Sequence, residues 1–271
     1  MPEMYSEFHN AFSILATTRR FEDQVLAKTK AGPAPVLLVE GVSDQILLAT
    51  AWTKLYTTQP LPFQIIPCGV QPSPELRSGG AEMLRRCVEF LAIASEKPMI
   101  AIFDNDRTGN EQYAALNKDA FDVASDAFHK EHRSGRAHAI LLPIPEGRAR
   151  FVTPHDTEQR YLVIEHYFSD AVLKAHGNIG PAILDTPVFK IIGDKVKFAQ
   201  STAGLTPEAF TAFGPLFSRI FTVLGIQQMP QAMDSMSNDA TATSHPQIPH
   251  PPPPSIAQQT APADLHLRGG E

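Results

Sequence analysis

Two aspartates one residue apart are the most chemically informative feature of this 271-residue sequence. Asp104 and Asp106 directly follow a continuous apolar run at residues 99–103. Two carboxylates held this close repel each other unless a positive charge lies between them. A hard divalent cation meets that need, because it prefers carboxylate oxygens and water as ligands. The spacing therefore predicts a site for Mg²⁺ or Mn²⁺.

A third carboxylate follows a second apolar run. Glu40 ends residues 36–39 and precedes Gly41, which lets the chain turn sharply. A short apolar run of this kind indicates a strand buried on both faces, as in a parallel sheet. The carboxyl ends of parallel strands lie at one edge, where open α/β sheets place their sites. We therefore expect Glu40 to meet Asp104 and Asp106 at that edge.

Four short apolar runs alternate with helical patterns, which is typical of a parallel α/β sheet. The runs lie at residues 36–39, 61–67, 99–103 and 138–144. Helices are predicted at about residues 4–30, 44–57, 81–94 and 110–133, the last in one piece or two, with Ser43 as the N-cap of the second. The predicted fold is α/β: a Rossmann-like, parallel four-stranded sheet flanked by helices.

The chain is predicted to divide into four segments. These are an N-terminal helical segment at residues 1–34, the core at 35–145, a C-terminal helical extension at 146–227 that contributes to the site, and a disordered tail at 228–271. In the extension, residues 189–198 fit a hairpin or a loop. Thr206 and Pro207 predict a helix start, and that helix runs to about residue 224 with a break near Gly214 and Pro215 left open.

The tail has a composition of its own, with eight of the 24 prolines. Such a segment cannot bury enough apolar surface to offset the entropy of ordering the chain. Its proline run also fits a polyproline-II ligand, which remains the alternative.

Composition and charge argue against several classes of protein. The formal net charge of −6 does not fit a surface built throughout for nucleic acid, so such a contact needs a local patch or a partner. No apolar run approaches the roughly 20 residues that span a membrane. The N-terminus lacks a secretory pattern, and the spacing of Cys68 and Cys87 indicates free thiols in a reducing compartment. We therefore expect a cytoplasmic protein.

The segments VLLVEGVSD (36–44) and IAIFDNDRTG (100–109) resemble the Toprim domain. That family, shared by topoisomerases, DnaG-type primases and several nucleases, has a glutamate after the first strand and Asp-x-Asp after the third. Glu40, Asp104 and Asp106 occupy those positions. The resemblance covers about residues 35–145 and implies a Toprim-like fold with a divalent cation at the sheet edge.

A finer resemblance is to the OLD-type nucleases and related Toprim proteins of bacterial anti-phage defence. It extends the first motif to Glu-x-x-x-Asp, which Asp44 completes, and adds a late acidic position that Glu165 in VIEHYF fills. These proteins often have a small residue two positions before that glutamate, where this chain has Val163. The family also carries a later catalytic lysine. The candidates are Lys190, which we select, Lys195 and Lys197.

The resemblance implies a metal-dependent nuclease that hydrolyses phosphodiester bonds in DNA or RNA, with one or two metals. The implied metal ligands are Glu40, Asp44, Asp104, Asp106 and Glu165, and the implied catalytic residues are Glu40, Asp104, Asp106 and Lys190. Nucleic-acid contacts are expected from Arg107, Arg148 and Arg150. The ATP-binding pattern GxxxxGK[ST] does not occur in the sequence, so a partner ATPase subunit is expected, with this chain as the effector.

Two other interpretations fit part of the pattern. In the first, the chain is a non-catalytic Toprim module that binds a partner. In the second, FDNDRT begins a haloacid-dehalogenase-like phosphatase in which Asp104 forms an aspartyl-phosphate. That family needs a later lysine and acidic pair, and residues 193–195 match it poorly.

Overall fold

A six-stranded mixed sheet with helices on both faces forms the centre of the protein. The computed structural model describes residues 19–69, 80–183 and 186–226, which all belong to one compact unit. The predicted helical residues 4–18 and the predicted tail at 228–271 lie outside the described residues.

The described elements are short and follow one another closely along the chain. The strands are β1 (Val36–Val39), β2 (Gln64–Pro67), β3 (Met99–Phe103), β4 (Asn105–Asp106), β5 (Phe121–Val123), β6 (His129–His132), β7 (Ala137–Leu141), β8 (Tyr161–Leu162), β9 (Ile179–Ala182) and β10 (Phe189–Ile191). The helices are α1 (residues 19–30), α2 (Val42–Leu55), α3 (Gly80–Ala94), α4 (Arg107–Ala114), α5 (Asp170–Ala175), α6 (Lys195–Ser201) and α7 (Phe213–Leu224). Single 3-10 turns lie at Ala149–Phe151, Thr157–Gln159, Ile164–Tyr167, Thr202–Gly204 and Pro207–Phe210.

The four predicted apolar strands are confirmed as the parallel part of the sheet, in the order β2-β1-β3-β7. In β1 and β3, Val39 lies opposite Ile102. In β3 and β7, Phe103 lies opposite Leu141. The carboxyl ends of these strands therefore lie side by side, and the residues that follow them share one edge.

Alternate residues of each strand pack on opposite faces, because successive side chains of a strand point to opposite sides of the sheet. Leu37 and Ile100 pack with α2, α6 and α7 in one apolar cluster. Leu38 and Ala101 pack with α1, α3 and α4 in the other. Both faces are covered, which explains why the strands are apolar without interruption.

The prediction of a helix over residues 110–133 is wrong beyond Ala114, and the sheet has six strands rather than four. After α4 the chain forms the hairpin β5–β6, which pairs antiparallel with β7. In β6 only His129 is buried, so the hairpin lacks the apolar run that marked the central strands. Pairing with the open edge of β7 outweighs its polar composition, since strand preference depends strongly on context.

The segment predicted as a separate helical extension is less helical than expected and packs into the core. It includes the antiparallel pair β9–β10 and pairs β8 with β4. The hairpin or loop expected at residues 189–198 is instead β10 followed by α6. Three phenylalanines of the C-terminal segment pack in the same apolar cluster as Leu37 of β1 and Ile100 of β3. They are Phe210, Phe213 and Phe217.

Thr206 and Pro207 start a helical segment as predicted, with Thr206 as N-cap of the turn Pro207–Phe210. The break comes at residues 211–212, before α7, rather than at Gly214 and Pro215. Pro215 is tolerated because it lies in the first turn of α7, where backbone N–H groups have no partner within the helix.

The state of the cysteines and the length of the helices bear on two further predictions from the sequence. Cys68 and Cys87 are both buried and free, as predicted. No helix within the described ranges is long and apolar enough to cross a membrane.

Candidate functional site

Glu40 and Asp104 meet at the carboxyl edge of the sheet, as their positions after neighbouring strands predict. Adjacent strands lie about 4.8 Å apart, and β1 and β3 are hydrogen-bonded neighbours. The backbone N–H of Asp104 donates to Oε1 of Glu40 at 3.1 Å. The ladder between the strands thus fixes the distance between these two acids.

Asp106 is the N-cap of α4. Its Oδ1 accepts a hydrogen bond from the N–H of Gly109 at 2.8 Å. A Cβ atom on residue 109 would lie 2.0 Å from the carbonyl oxygen of Asp104, so only glycine fits this turn. The turn places Asp106 beside Asp104 at the start of the helix.

Asp44 lies in the first turn of α2 and points back to the strand end. Its Oδ2 accepts from the N–H of Gly41 at 2.8 Å, and its Oδ1 accepts from the hydroxyl of Ser43 at 3.2 Å. The N-cap is Gly41 rather than the predicted Ser43, because the helix begins at Val42. The carboxylate satisfies an end amide of the helix, which is the structural role open to an aspartate at this position.

Glu165 lies in the turn Ile164–Tyr167, which contacts the end of β3. The N–H of Ile164 donates to Oδ1 of Asp104 at 3.2 Å, which ties this turn to the end of β3. The side chain of Glu165 is completely buried. Its Oε2 binds Lys195, whereas its Oε1 has no hydrogen-bond partner among the described residues.

Lys195, rather than the selected Lys190, is the lysine that reaches the carboxylates. Nζ of Lys195 lies 3.1 Å from Oε2 of Glu165. Lys190 lies exposed in β10, and Lys197 is exposed in α6. Asp194 caps α6 and so makes Lys195 its first residue. An N-cap aspartate after Gly193 is a signal in the sequence that predicts this helix start.

The carboxylates share a strongly unfavourable environment. Burial, followed by repulsion from Asp44, raises the pKa of Glu40 to about 8. Burial, followed by repulsion from Glu165, raises the pKa of Asp44 to about 6. Burial and repulsion from Glu40 raise the pKa of Asp104 well above its usual value, and burial raises that of Asp106.

Lys195 supplies the positive charge that faces these acids. Burial on its own would lower the pKa of Lys195, but the charges of Glu165, Asp104 and Asp44 raise it above its usual value. Lys195 therefore stays protonated near neutral pH and interacts with acids from three separate segments.

The three arginines expected to contact nucleic acid have different surroundings. Arg148 is buried, and its three guanidinium nitrogens donate to the carbonyls of His166 and Phe168 and to Asp170, so it holds the Glu165 turn in place. Arg150 is partly exposed and pairs with Asp170 at 3.1 Å. Arg107 is 58% exposed and pairs with Glu111 at 2.9 Å and with Glu158 at 2.7 Å. Only Arg107 lines the cleft that contains Asp106.

A buried network that the sequence analysis missed supports the Asp104–Asp106 turn. Asn110 donates to Oδ1 of Asn105 at 3.0 Å and to the carbonyl of Asp106 at 2.7 Å. Asn105 donates in turn to the carbonyl of Leu142 at 3.2 Å, and Arg160 donates to Asn110. An asparagine between two aspartates was the available signal, since amides often bridge backbone groups in turns.

His166 also escaped the sequence analysis as a support of the site. Its Nδ1 accepts from the N–H of Val163 at 3.1 Å, and its Nε2 faces the carbonyl of Phe189 at 3.3 Å. Burial, followed by the charge of Arg148, lowers the pKa of His166 to about 4, so the ring is neutral. It links the Glu165 turn to β10, the strand that precedes Lys195.

The residues offer ligands for a hard cation, but they do not surround a single point. Within residues 19–69, 80–183 and 186–226, no group of three or more His, Cys, Asp or Glu side chains is arranged to hold a metal ion. Each carboxylate turns instead to a backbone amide or to Lys195. The free Oε1 of Glu165 is the observation that fits a further positive ligand, because a buried carboxylate oxygen without a partner is costly.

Comparisons with known proteins find no relative of this chain. No protein-family model, no curated protein and no solved structure matches the chain.

Proposed function

We propose that this chain is a Toprim-type nuclease that uses Mg²⁺ or Mn²⁺ to hydrolyse phosphodiester bonds in DNA or RNA. One observation carries the proposal. Carboxylates from three separate segments, residues 40–44, 104–106 and 165, meet at the carboxyl edge of the sheet, and the completely buried Glu165 keeps one oxygen without a partner among the described residues. Acids gathered and buried in this way are typical of functional sites, where strongly shifted pKa values are useful.

Charge balance supports a divalent cation as the missing component. Glu40, Asp104 and Asp106 would hold one ion, and Asp44 and Glu165 would complete a second site. A metal held by these residues would supply an activated water and positive charge for the leaving oxygen. One lysine cannot neutralise five carboxylates. Burial first, and the remaining repulsion between the acids second, raise the pKa values of Glu40 and Asp44.

The chain's own residues supply the remaining roles. Lys195 faces the acids and stays protonated, so it is suited to neutralise negative charge on a phosphate. Glu40 is the candidate general acid or base in a single-metal mechanism. Following the resemblance, we further propose that the chain acts in the cytoplasm as the effector of an anti-phage system with a partner ATPase.

The test is nuclease activity of the purified full-length protein. Single-stranded and duplex DNA and RNA are incubated with Mg²⁺, Mn²⁺ or EDTA. We expect cleavage that requires the metal and is lost in Asp104→Asn. Asp119→Asn, an exposed acid outside the site, is the matched control and keeps full activity. Cleavage that survives in Asp104→Asn, or none under any condition including addition of neighbouring gene products, contradicts the proposal.

A non-catalytic Toprim module is the second candidate, and the Lys195–Glu165 pair favours it. In that case Lys195 is a permanent counterion and the acids are structural. Metal binding in such a module is vestigial or structural, so the nuclease assay separates the two: the module cleaves no substrate under any condition, including with neighbouring gene products. A phosphatase with Asp104 as nucleophile leaves Glu40 and Glu165 without a role, and hydrolysis of p-nitrophenyl phosphate tests it directly.

A further inference from the structure

A cleft of about 480 Å³ opens beside the carboxylates. It is lined by two charged groups of the site, Asp106 and Lys195, and by the side chains of Tyr161, Val163, Ile191 and Lys190. A cleft of this size falls within the range that holds one small organic molecule or one residue of a polymer. It combines an apolar wall with positive charge next to the proposed reaction site.

Tyr161 is the aromatic residue of this wall. Its backbone pairs with that of Asp106 in the β4–β8 ladder, so the two side chains are cross-strand neighbours. Tyr161 is only partly buried. Within the part of the chain that the structure describes, its ring stacks on no other aromatic ring and its hydroxyl makes no hydrogen bond. The phenol therefore offers a free aromatic surface next to the Asp106 carboxylate.

Lys190 supplies an unpaired positive charge at the same cleft. It is exposed, and it makes no ion pair or hydrogen bond through its ammonium group with any described residue. The other cations that line the cleft already have partners. Arg107 pairs with Glu111 and Glu158, and Lys195 pairs with Glu165. Arg160 donates to Asn110 and to two backbone carbonyls. Lys190 is thus the lining residue that is free to bind an external anion.

We propose that this cleft binds one unpaired nucleotide of a single-stranded nucleic acid, with its base stacked on Tyr161 and a flanking phosphate on Lys190. The inference rests on the proposed nuclease function, which it makes more specific. Asp104 and Glu165 are buried, and the cleft borders the site through Asp106 and through Lys195, which pairs with Glu165. A base in a duplex must first leave its stack to enter the cleft, whereas an unpaired base has no such cost. Stacking on tyrosine tolerates any base, because each base has a π-face.

Binding is measured by fluorescence anisotropy with labelled phosphorothioate oligonucleotides, which resist hydrolysis, in buffer with Mg²⁺. The same sequence is offered as single-stranded DNA, single-stranded RNA and duplex DNA. We expect both single strands to bind roughly tenfold or more tightly than the duplex. Tyr161→Ala should remove that preference, and Tyr161→Phe should keep it. Circular dichroism checks that each variant is folded.

Two further measurements assign the individual contacts. A strand carrying 2-aminopurine should be quenched on binding, and the quenching should disappear in Tyr161→Ala. Lys190→Ala should weaken binding to all strands alike and lower the dependence of binding on salt by about one charge. Lys118→Ala, an exposed lysine that does not line the cleft, is the matched control and should bind as the parent does.

Equal affinity for duplex and single strands, or an unchanged preference in folded Tyr161→Ala, overturns the assignment of the cleft. These binding results do not depend on catalysis. A chain that prefers single strands through Tyr161 but never cleaves them refutes the nuclease proposal and leaves the cleft assignment intact. A chain that cleaves duplexes without any preference refutes only the cleft assignment.

Discussion

Among single residues, Glu165 has the side chain whose hydrogen-bonding capacity is least used within the described residues. Its side chain is completely buried, one oxygen is bound by Lys195 and the other has no partner among the described residues. A buried polar atom without a partner costs about 1–3 kcal/mol. Lys195 is 40% exposed on its side chain, so solvent screens part of the attraction between the two charges.

Removal of the lysine charge is expected to destabilise the fold through Glu165. Breaking a fully buried pair costs about 3–5 kcal/mol, and the partial exposure of Lys195 reduces our expectation to about 2 kcal/mol for Lys195→Met. Adding Glu165→Gln should recover most of that loss, because the buried carboxylate that pairs directly with Lys195 is then replaced by a neutral amide. Urea denaturation measures both, with exposed Lys197→Met as the control. Equal stability of the two lysine variants would show that the pair contributes nothing.

Sequence reasoning located the acids better than the lysine. Glu40, Asp104 and Asp106 each directly follow a strand or the turn after it, so the apolar pattern determines where they lie. The position of Lys195 depends on where the chain turns between β10 and α6. The Asp194 N-cap predicts the helix start at Lys195. That this start lies beside Glu165 depends on long-range contacts, such as the one between His166 and Phe189, which no local pattern records.

At the scale of elements, the site depends on tight turns that follow the strands. Gly69 donates its N–H to the carbonyl of Glu40 at 2.7 Å, and a Cβ on residue 69 would lie 2.2 Å from that oxygen. A Cβ on residue 109 would likewise lie 2.0 Å from the carbonyl oxygen of Asp104, while the N–H of Gly109 donates to Oδ1 of Asp106. Two close backbone approaches thus hold the two strand ends in position, and neither tolerates a side chain.

Gly109→Ala is therefore expected to displace the Asp104–Asp106 turn. A contact of 2.0 Å with backbone cannot be relieved by a rotamer change, so we expect a loss of at least about 2 kcal/mol together with loss of Mg²⁺ binding. Thermal unfolding and calorimetric titration provide the two measurements. Gly214→Ala is the control, because nothing lies within 4 Å of its added Cβ and helical alanine is favoured over glycine. A Gly109→Ala protein as stable as this control would show that the turn is adaptable.

The elements found from sequence and those missed differ in how they are buried. The strands β1, β2, β3 and β7 are covered on both faces and so keep uninterrupted apolar runs. The hairpin β5–β6 lies at an edge and shows mostly polar residues, such as those of the sequence HKEH in β6. Its strand identity comes from pairing with β7, and pairing between distant segments is invisible to a local pattern.

For the molecule as a whole, the shifted pKa values of the buried acids make the free energy of unfolding depend on pH. Glu40 and Asp44 have pKa values of about 8 and about 6 in the folded chain, above their usual values of 4.5 and 3.8. The folded state therefore binds more protons than the unfolded state between these limits. Stability is highest when the groups are protonated and is lost as pH rises through the folded pKa values.

Without divalent cations, the midpoint of thermal unfolding should fall by several degrees as pH rises from about 5 to about 8. Mg²⁺ should restore the midpoint mainly at the upper end, because metal and proton compete for the same oxygens. In Glu40→Gln the fall with pH should be smaller. Differential scanning calorimetry at a series of pH values provides the data, and an identical pH profile in parent and variant contradicts the assignment of the shift to Glu40.

The acids and their lysine are spread along the chain from Glu40 to Lys195. A nascent chain leaving the ribosome therefore exposes four of the five carboxylates well before Glu165 and Lys195 have been synthesised. Until then, those acids lack the lysine that faces them in the folded protein. The cluster of acids at the carboxyl edge is consequently completed only after the strands β1, β2, β3 and β7 have been synthesised.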